Sequence, residues 1–133
     1  MASIRKDIDV GVTPGEAWAA LRDYGAVHER VAAGFVVDSR LDGPDRVLTF
    51  AGGAVARERL VAADDDARRL VYSVVEGSLP VTHHQASVEV VGAAGSDGCR
   101  LVWITDVLPD ELAPVVDGLM DQGAAAIAST LSG

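Results

Sequence analysis

The residues best suited to chemistry are neighbours, His83 and His84. Imidazole titrates near neutral pH and can take or give a proton. The pair opens an extended run, Thr82 to Val91, in which successive side chains point to opposite faces. The two rings therefore cannot hold one metal from one side. Parity with Val88 and Val90 turns His84 inward and His83 outward. An inward His84 could act as a general base or as a hydrogen-bond donor to a ligand carbonyl. The plainer alternative is a buried histidine satisfied by a neighbour, or one near a wet strand end. Glu76 ends the preceding run on the side of Tyr72 and Val74. A hairpin through Gly77 to Val81 would bring its carboxylate to His84, where it would orient and charge the ring. Otherwise it is a solvated edge carboxylate. Glu58 shares parity with Leu60. If Leu60 is core, Glu58 points inward and needs a partner, while Arg57 and Arg59 face water. The opposite parity would bury two arginines at greater cost.

Other chemistries are disfavoured by composition. The 133 residues contain one cysteine, Cys99, which rules out an intramolecular disulfide and any cysteine-rich zinc site. Cys99 follows Gly98 and reads as a small residue at a strand start, without the electropositive setting a nucleophile needs. Asp64, Asp65 and Asp66 lack the spaced ligands and glycine of a calcium loop and read as a turn. No metal and no cofactor are expected. Eleven basic residues against twenty acidic ones give a net charge of −9. With no basic patch interleaved with aromatics, neither nucleic acid nor an anionic membrane surface is an expected partner. No apolar run spans a bilayer and no basic-then-apolar leader opens the sequence, so a cytoplasmic protein without membrane insertion is expected. Hydrophobic residues make up 49%, enough for one core in one domain over residues 1–133.

These residues must be positioned by strands and one long helix. Ser3 to Val12 alternates, with Ile4, Ile8, Val10 and Val12 on one side; Lys6 interrupts that side near the strand's start, where the end can be wet. Thr13-Pro14-Gly15-Glu16 is a helix start, with Thr13 as cap, Pro14 in the first position and Glu16 placed to reach back. This helix stops near Asp23-Tyr24-Gly25, and a second short one covers Ala26 to Ala32. Strands follow from Phe35 (Phe35, Val37 and Leu41 on one face), over Val47 to Ala51, Val55 to Ala62, Leu70 to Glu76, Thr82 to Val91 and Leu101 to Val107. Turns lie at Asp42–Asp45, Gly52-Gly53, Asp64–Asp66 and Gly92–Gly98. From Pro109 to Leu131, residues Leu112, Val115, Val116, Leu119, Met120, Gly123, Ile127 and Leu131 share a helical face. Pro114 belongs in a first turn, so the regular helix can begin there. Gly118 and Gly123 within it would allow close approach or mark a bend. Seven strands and a long amphipathic helix make an α+β domain with the helix laid across the sheet.

The opening strand, Thr-Pro-Gly-Glu-Ala-Trp-Ala-Ala-Leu at 13–21, Arg-Arg-Leu-Val-Tyr-Ser-Val at 68–74, Arg-Leu-Val-Trp at 100–103 and the C-terminal helix together resemble the START/Bet v 1-like (SRPBCC) superfamily, nearest its bacterial polyketide cyclase/dehydrase and lipid-transport type. The resemblance runs from Ile4 to Leu131. It implies a helix-grip fold: a curved antiparallel seven-stranded sheet around the last helix, with two short helices after strand 1 closing one end. It also implies a cavity for an apolar lipid or polyketide-like molecule. Sheet parity then nominates Tyr72, Val74, His84, Val88, Trp103 and Thr105 as ligand contacts. Trp18 and Phe35 join them at the helical end, and Met120 and Ile127 from the long helix. Tyr24 and His28 would flank the entrance. Binding or carriage of such a molecule is the expected function. One alternative is a cyclase or dehydratase using His84 as acid/base with Glu76. Another is a protein-interaction module with no small ligand. An open sheet edge leaves room for a homodimer, though no residue points to one.

Overall fold

The computed structural model describes residues 1–92 and 96–132, so the centre of the expected 92–98 turn lies outside the described residues. In chain order the elements are β1 (Ala2–Val10), α1 (Pro14–Arg22), α2 (Val27–Arg30), β2 (Val36–Asp42), β3 (Asp45–Phe50), β4 (Val55–Asp64), β5 (Arg69–Gly77), β6 (His83–Val91), β7 (Cys99–Leu108) and α3 (Ala113–Thr130). Short 3-10 turns, Tyr24–Ala26 and Asp110–Leu112, lead into α2 and α3. The strands form one antiparallel sheet in the order β1-β7-β6-β5-β4-β3-β2. Strands β2 to β7 meander, and β1 returns beside β7 with Ala2 opposite Val107 and Val10 opposite Cys99. The curved sheet grips α3, as a one-sided apolar helix requires.

Local chemistry accounts for the element ends. The Thr13 hydroxyl accepts the Glu16 backbone N–H at 3.2 Å, and Pro14 occupies the first position of α1. Pro114 falls in the first turn of α3, where no intrahelical N–H is required of it. The helix buries Val116, Met120, Gly123 and Ile127. Val115 is 49% exposed, contrary to the sequence expectation. It lies about 100° round the helix from Val116, outside the stripe that meets the sheet.

Lys6 is the chain's only lysine. Rather than ending in water, it ties β1 to α3, its Nζ 2.6 Å from Asp117 and 2.7 Å from Asp121. Those carboxylates stand four residues apart on one helix face.

Strand alternation breaks at bulges. In β2, Val36 pairs with Phe50 and Asp38 with Thr49, leaving Val37 as the extra residue. Val36 is therefore buried, whereas Val37, expected on one face with Phe35 and Leu41, is exposed; Leu41 pairs with Arg46 and is exposed near the end of the edge strand. In the β4–β5 pair, Arg57 faces Glu76 but Glu58 faces Val74, leaving Val75 unpaired. This second bulge decides where Glu76 goes.

Candidate functional site

Between the inner face of the sheet and α3 lies a cavity of about 200 Å³. Phe35, Tyr72, Val74, His84, Trp103, Thr105 and Met120 line it, as parity suggested. Trp18, Val88 and Ile127, also nominated from sequence, do not. They pack with Ile8, Val10, Leu101 and Leu131 in the main hydrophobic cluster. The Trp18 indole N–H is already committed to Asp65 at 2.8 Å. The helix approaches closely because position 123 has no side chain: a Cβ there would lie 3.0 Å from the Trp103 ring and 3.2 Å from Phe35. Around Gly118 the space is open. The segment after β5 contributes Ser78, Leu79 and Val81 to the wall, and Leu79 and Val81 pack against the Val107–Val116–Met120 cluster.

The inward Glu58 has its partner. Arg46 and Glu58 stand directly opposite each other on β3 and β4. Arg46 donates from Nε to Glu58 Oε1 at 2.9 Å, and its Nη2 lies 2.8 Å from the same oxygen. Its Nη1 donates to the Tyr24 carbonyl at 3.2 Å. The guanidinium lies over the Tyr24 ring at 4.0 Å and near the Tyr72 ring at 5.0 Å, positions that favour a cation. Burial opposes the Arg46 charge, but Glu58 and the two tyrosines outweigh it and hold the guanidinium above its ordinary pKa. The Tyr24 hydroxyl donates to the Glu58 carbonyl at 3.0 Å, so Tyr24 braces the pair from within the core and does not flank an entrance. His28 lies outside the cavity wall, its Nε2 3.5 Å from Glu29.

Tyr72 forms the adjoining wall. Its hydroxyl oxygen accepts the Trp103 indole N–H at 3.0 Å, which leaves its own proton to donate. Burial pushes its pKa well up, with the Glu58 charge adding to the effect, so it stays a donor at neutral pH.

His84 faces inward as parity required. The β5–β6 ladder ends at Tyr72 opposite Ala86. Beyond it the Val74 N–H donates to His84 Nδ1 at 3.0 Å, the side chain standing in for the lost backbone partner. The Ser73 hydroxyl donates to the His84 carbonyl. Burial lowers the His84 pKa against an opposing pull from Glu58. A neutral ring whose Nδ1 accepts carries its proton on Nε2. His84 is thereby arranged as a donor, not as a base. Glu76 cannot help it: the Val75 bulge turns Glu76 to the outer face, where it is 78% exposed and 3.8 Å from Arg57. The expected Glu76–His84 pair is not formed.

Burial raises the Cys99 pKa, which agrees with a structural thiol at the start of β7. Among the described residues no three His, Cys, Asp or Glu side chains gather as a metal site, and no helix is long and apolar enough to cross a membrane.

Residues 1–132 match the family model described as polyketide cyclase / dehydrase and lipid transport. The chain belongs to this family. No curated protein matches it. Among solved structures it is similar to the protein XoxI from Bacillus cereus (TM-score 0.86, 20% identity, 98% of this chain and 96% of that one). It is also similar to a Thermobifida fusca protein (0.79, 28%, 99% and 91%). Norcoclaurine synthase from Thalictrum flavum in complex with dopamine and hydroxybenzaldehyde shares the fold as well (0.73, 20%, 98% and 84%). A START superfamily protein from Mycobacterium smegmatis does so too (0.76, 15%, 98% and 94%). The helix-grip architecture of this polyketide cyclase/dehydrase family member is therefore shared with START and Bet v 1-like proteins.

The cavity-lining charge that sequence reasoning does not name is Arg46. The signal was there: Arg46, Leu48 and Phe50 alternate, and Leu48 is plainly core. The strand expected over Val47 to Ala51 begins at Asp45 and so includes the inward arginine.

Proposed function

We propose that this chain binds or carries a small apolar molecule in the cavity between sheet and α3. The observation that carries the reading is a cavity of about 200 Å³ with mostly apolar walls and a few convergent polar groups, Glu58, Tyr72 and His84 among them. Apolar surface supplies affinity in such a pocket and a few polar groups orient the ligand. A buried ion pair is weak support for stability, since apolar replacements are often as stable, so a role in recognition accounts better for its place in a cavity wall. The same fold holds dopamine and hydroxybenzaldehyde in norcoclaurine synthase, which supports a small aromatic occupant.

A second reading, cyclase- or dehydratase-type turnover, is favoured by one observation: a donor, Tyr72, and an acceptor, Glu58, border the same cavity. His84 would then polarise a carbonyl and would not abstract a proton. The chain's only lysine lies at the β1–α3 contact, outside the cavity wall, so an amine nucleophile has no part in either reading.

Native mass spectrometry of the purified protein, followed by denaturing extraction, tests the first reading. A retained small molecule is the expected result; protein that is empty, and stays empty when offered hydrophobic probes, would contradict it. Incubating the extracted molecule with fresh protein separates the two readings, because turnover changes its mass and carriage does not.

A further inference from the structure

We propose that the Arg46–Glu58 pair reads the ligand's polar end, admitting an uncharged hydroxyl on a one- or two-ring aromatic skeleton and rejecting a carboxylate of the same shape. This rests on the pocket reading above and narrows its ligand.

Both Arg46 contacts to Glu58 fall on Oε1. Among the described residues no hydrogen bond reaches Oε2, although Glu58 lines the cavity and its side chain is only 9% exposed. This oxygen is open to the cavity and is an acceptor for a hydroxyl donor there. Arg46 cannot offer a comparable welcome to an anion. Three of its five N–H groups are turned to Glu58 or to the Tyr24 carbonyl, its charge is already balanced by Glu58, and tyrosine rings lie against it. The pair is neutral as a unit. A carboxylate entering beside it would bring an unbalanced charge into a poorly hydrated site and would stand next to the Glu58 carboxylate. A hydroxyl brings no charge. It can donate to Glu58 Oε2 while its oxygen accepts the free Tyr72 proton. The volume sets the scale: about 200 Å³ exceeds the ~150 Å³ that holds benzene and falls short of the roughly 300–1,000 Å³ of drug-sized pockets.

The test is a calorimetric titration of the full chain at pH 7 with 2-naphthol, 2-naphthoate and naphthalene. 2-Naphthol should bind at least tenfold tighter than either of the others. In Glu58→Gln, Arg46 is released toward anions, so the naphthol-to-naphthoate ratio should fall at least tenfold. Should that variant not fold, Arg46→Met/Glu58→Leu provides an apolar wall that should bind naphthol no better than naphthalene. Equal wild-type affinities for the three probes would overturn the headgroup assignment and leave the pocket standing. A naphthol preference that persists in the apolar double variant would do the same. Saturable binding of none of them would overturn both the assignment and the pocket reading.

Discussion

The β3–β4 hairpin carries two ionic clusters back to back. On its inner face Arg46 and Glu58, with side chains 6% and 9% exposed, meet inside a cavity wall. On its outer face Asp45 accepts from Arg59 Nε and from Arg57 Nη1, each at 2.9 Å, and Arg57 reaches Asp42 at 2.8 Å. Those arginine side chains are 53% and 25% exposed. Hydrogen bonds from Arg59 and Arg57 hold the Asp45 carboxyl below its ordinary pKa. The residues alternate along the same two strands and use the same chemistry, yet their situations differ. Both Asp45 oxygens are engaged and the arginines can exchange protein contacts for water; Glu58 keeps one oxygen open toward a space without side chains. The outer cluster pins the hairpin. The inner pair borders the cavity.

The contrast is sharpest when one partner is removed. Glu58→Leu leaves a buried guanidinium without its counter-charge and should destabilise the fold by about 3–5 kcal/mol, whereas Arg46→Met/Glu58→Leu should unfold within roughly 1 kcal/mol of wild type or above it. Urea denaturation of both variants checks this; an equal loss in the two would mean the pair is structural.

The opposite behaviour is expected of His84. An unfolded histidine titrates near 6.5, and the folded value is lower. The unfolded state therefore binds more protons, so the stability from neutral His84 is complete above pH 6.5 and is lost as the pH falls through the folded value. The Val74 N–H bond to Nδ1 is lost with it. Comparing urea midpoints of wild type and His84→Gln between pH 7.5 and 5 should show a steeper fall in wild type; parallel curves would remove His84 from the buried side.

Two helix glycines extend the comparison to α3. Gly118→Ala, in open space, should stabilise by about 1 kcal/mol through helix propensity. Gly123→Ala should lose that gain, because the added methyl presses on a Trp103 ring already tied to Tyr72. Thermal melts of the pair decide it. The smallest effect belongs to the outer face: Arg59→Gln should lower stability slightly at low salt and not at about 1 M, where screening acts within ~3 Å.

Much of this was legible in the sequence. Hydrophobic period alone distinguished the strands from α3, and Thr13-Pro14 marked the start of α1. Parity turned Glu58 and His84 inward. Parity failed where a bulge intervened, since one extra residue exchanges the faces of everything beyond it. Val37 came out exposed for that reason in β2, and Glu76 left His84 because of Val75; Leu41 keeps the face of Arg46 and is exposed because it lies near the end of the edge strand. Bulges arise from the fit of two strands and leave no mark on either one alone. Parity also cannot tell a filled half of the grip from an open one: Val88 and Ile127 face inward like Thr105 and Met120, yet only the latter pair borders the cavity.

Two indoles provide the most direct test of the cavity as a binding site. Trp103 is in its wall, while Trp18 lies in the packed half with its N–H on Asp65. A two-dimensional proton–nitrogen NMR titration with 2-naphthol should move the Trp103 indole resonance saturably and leave Trp18 in place. Equal movement of both, or a stationary Trp103 under saturating probe, would contradict a ligand seated between the sheet and α3.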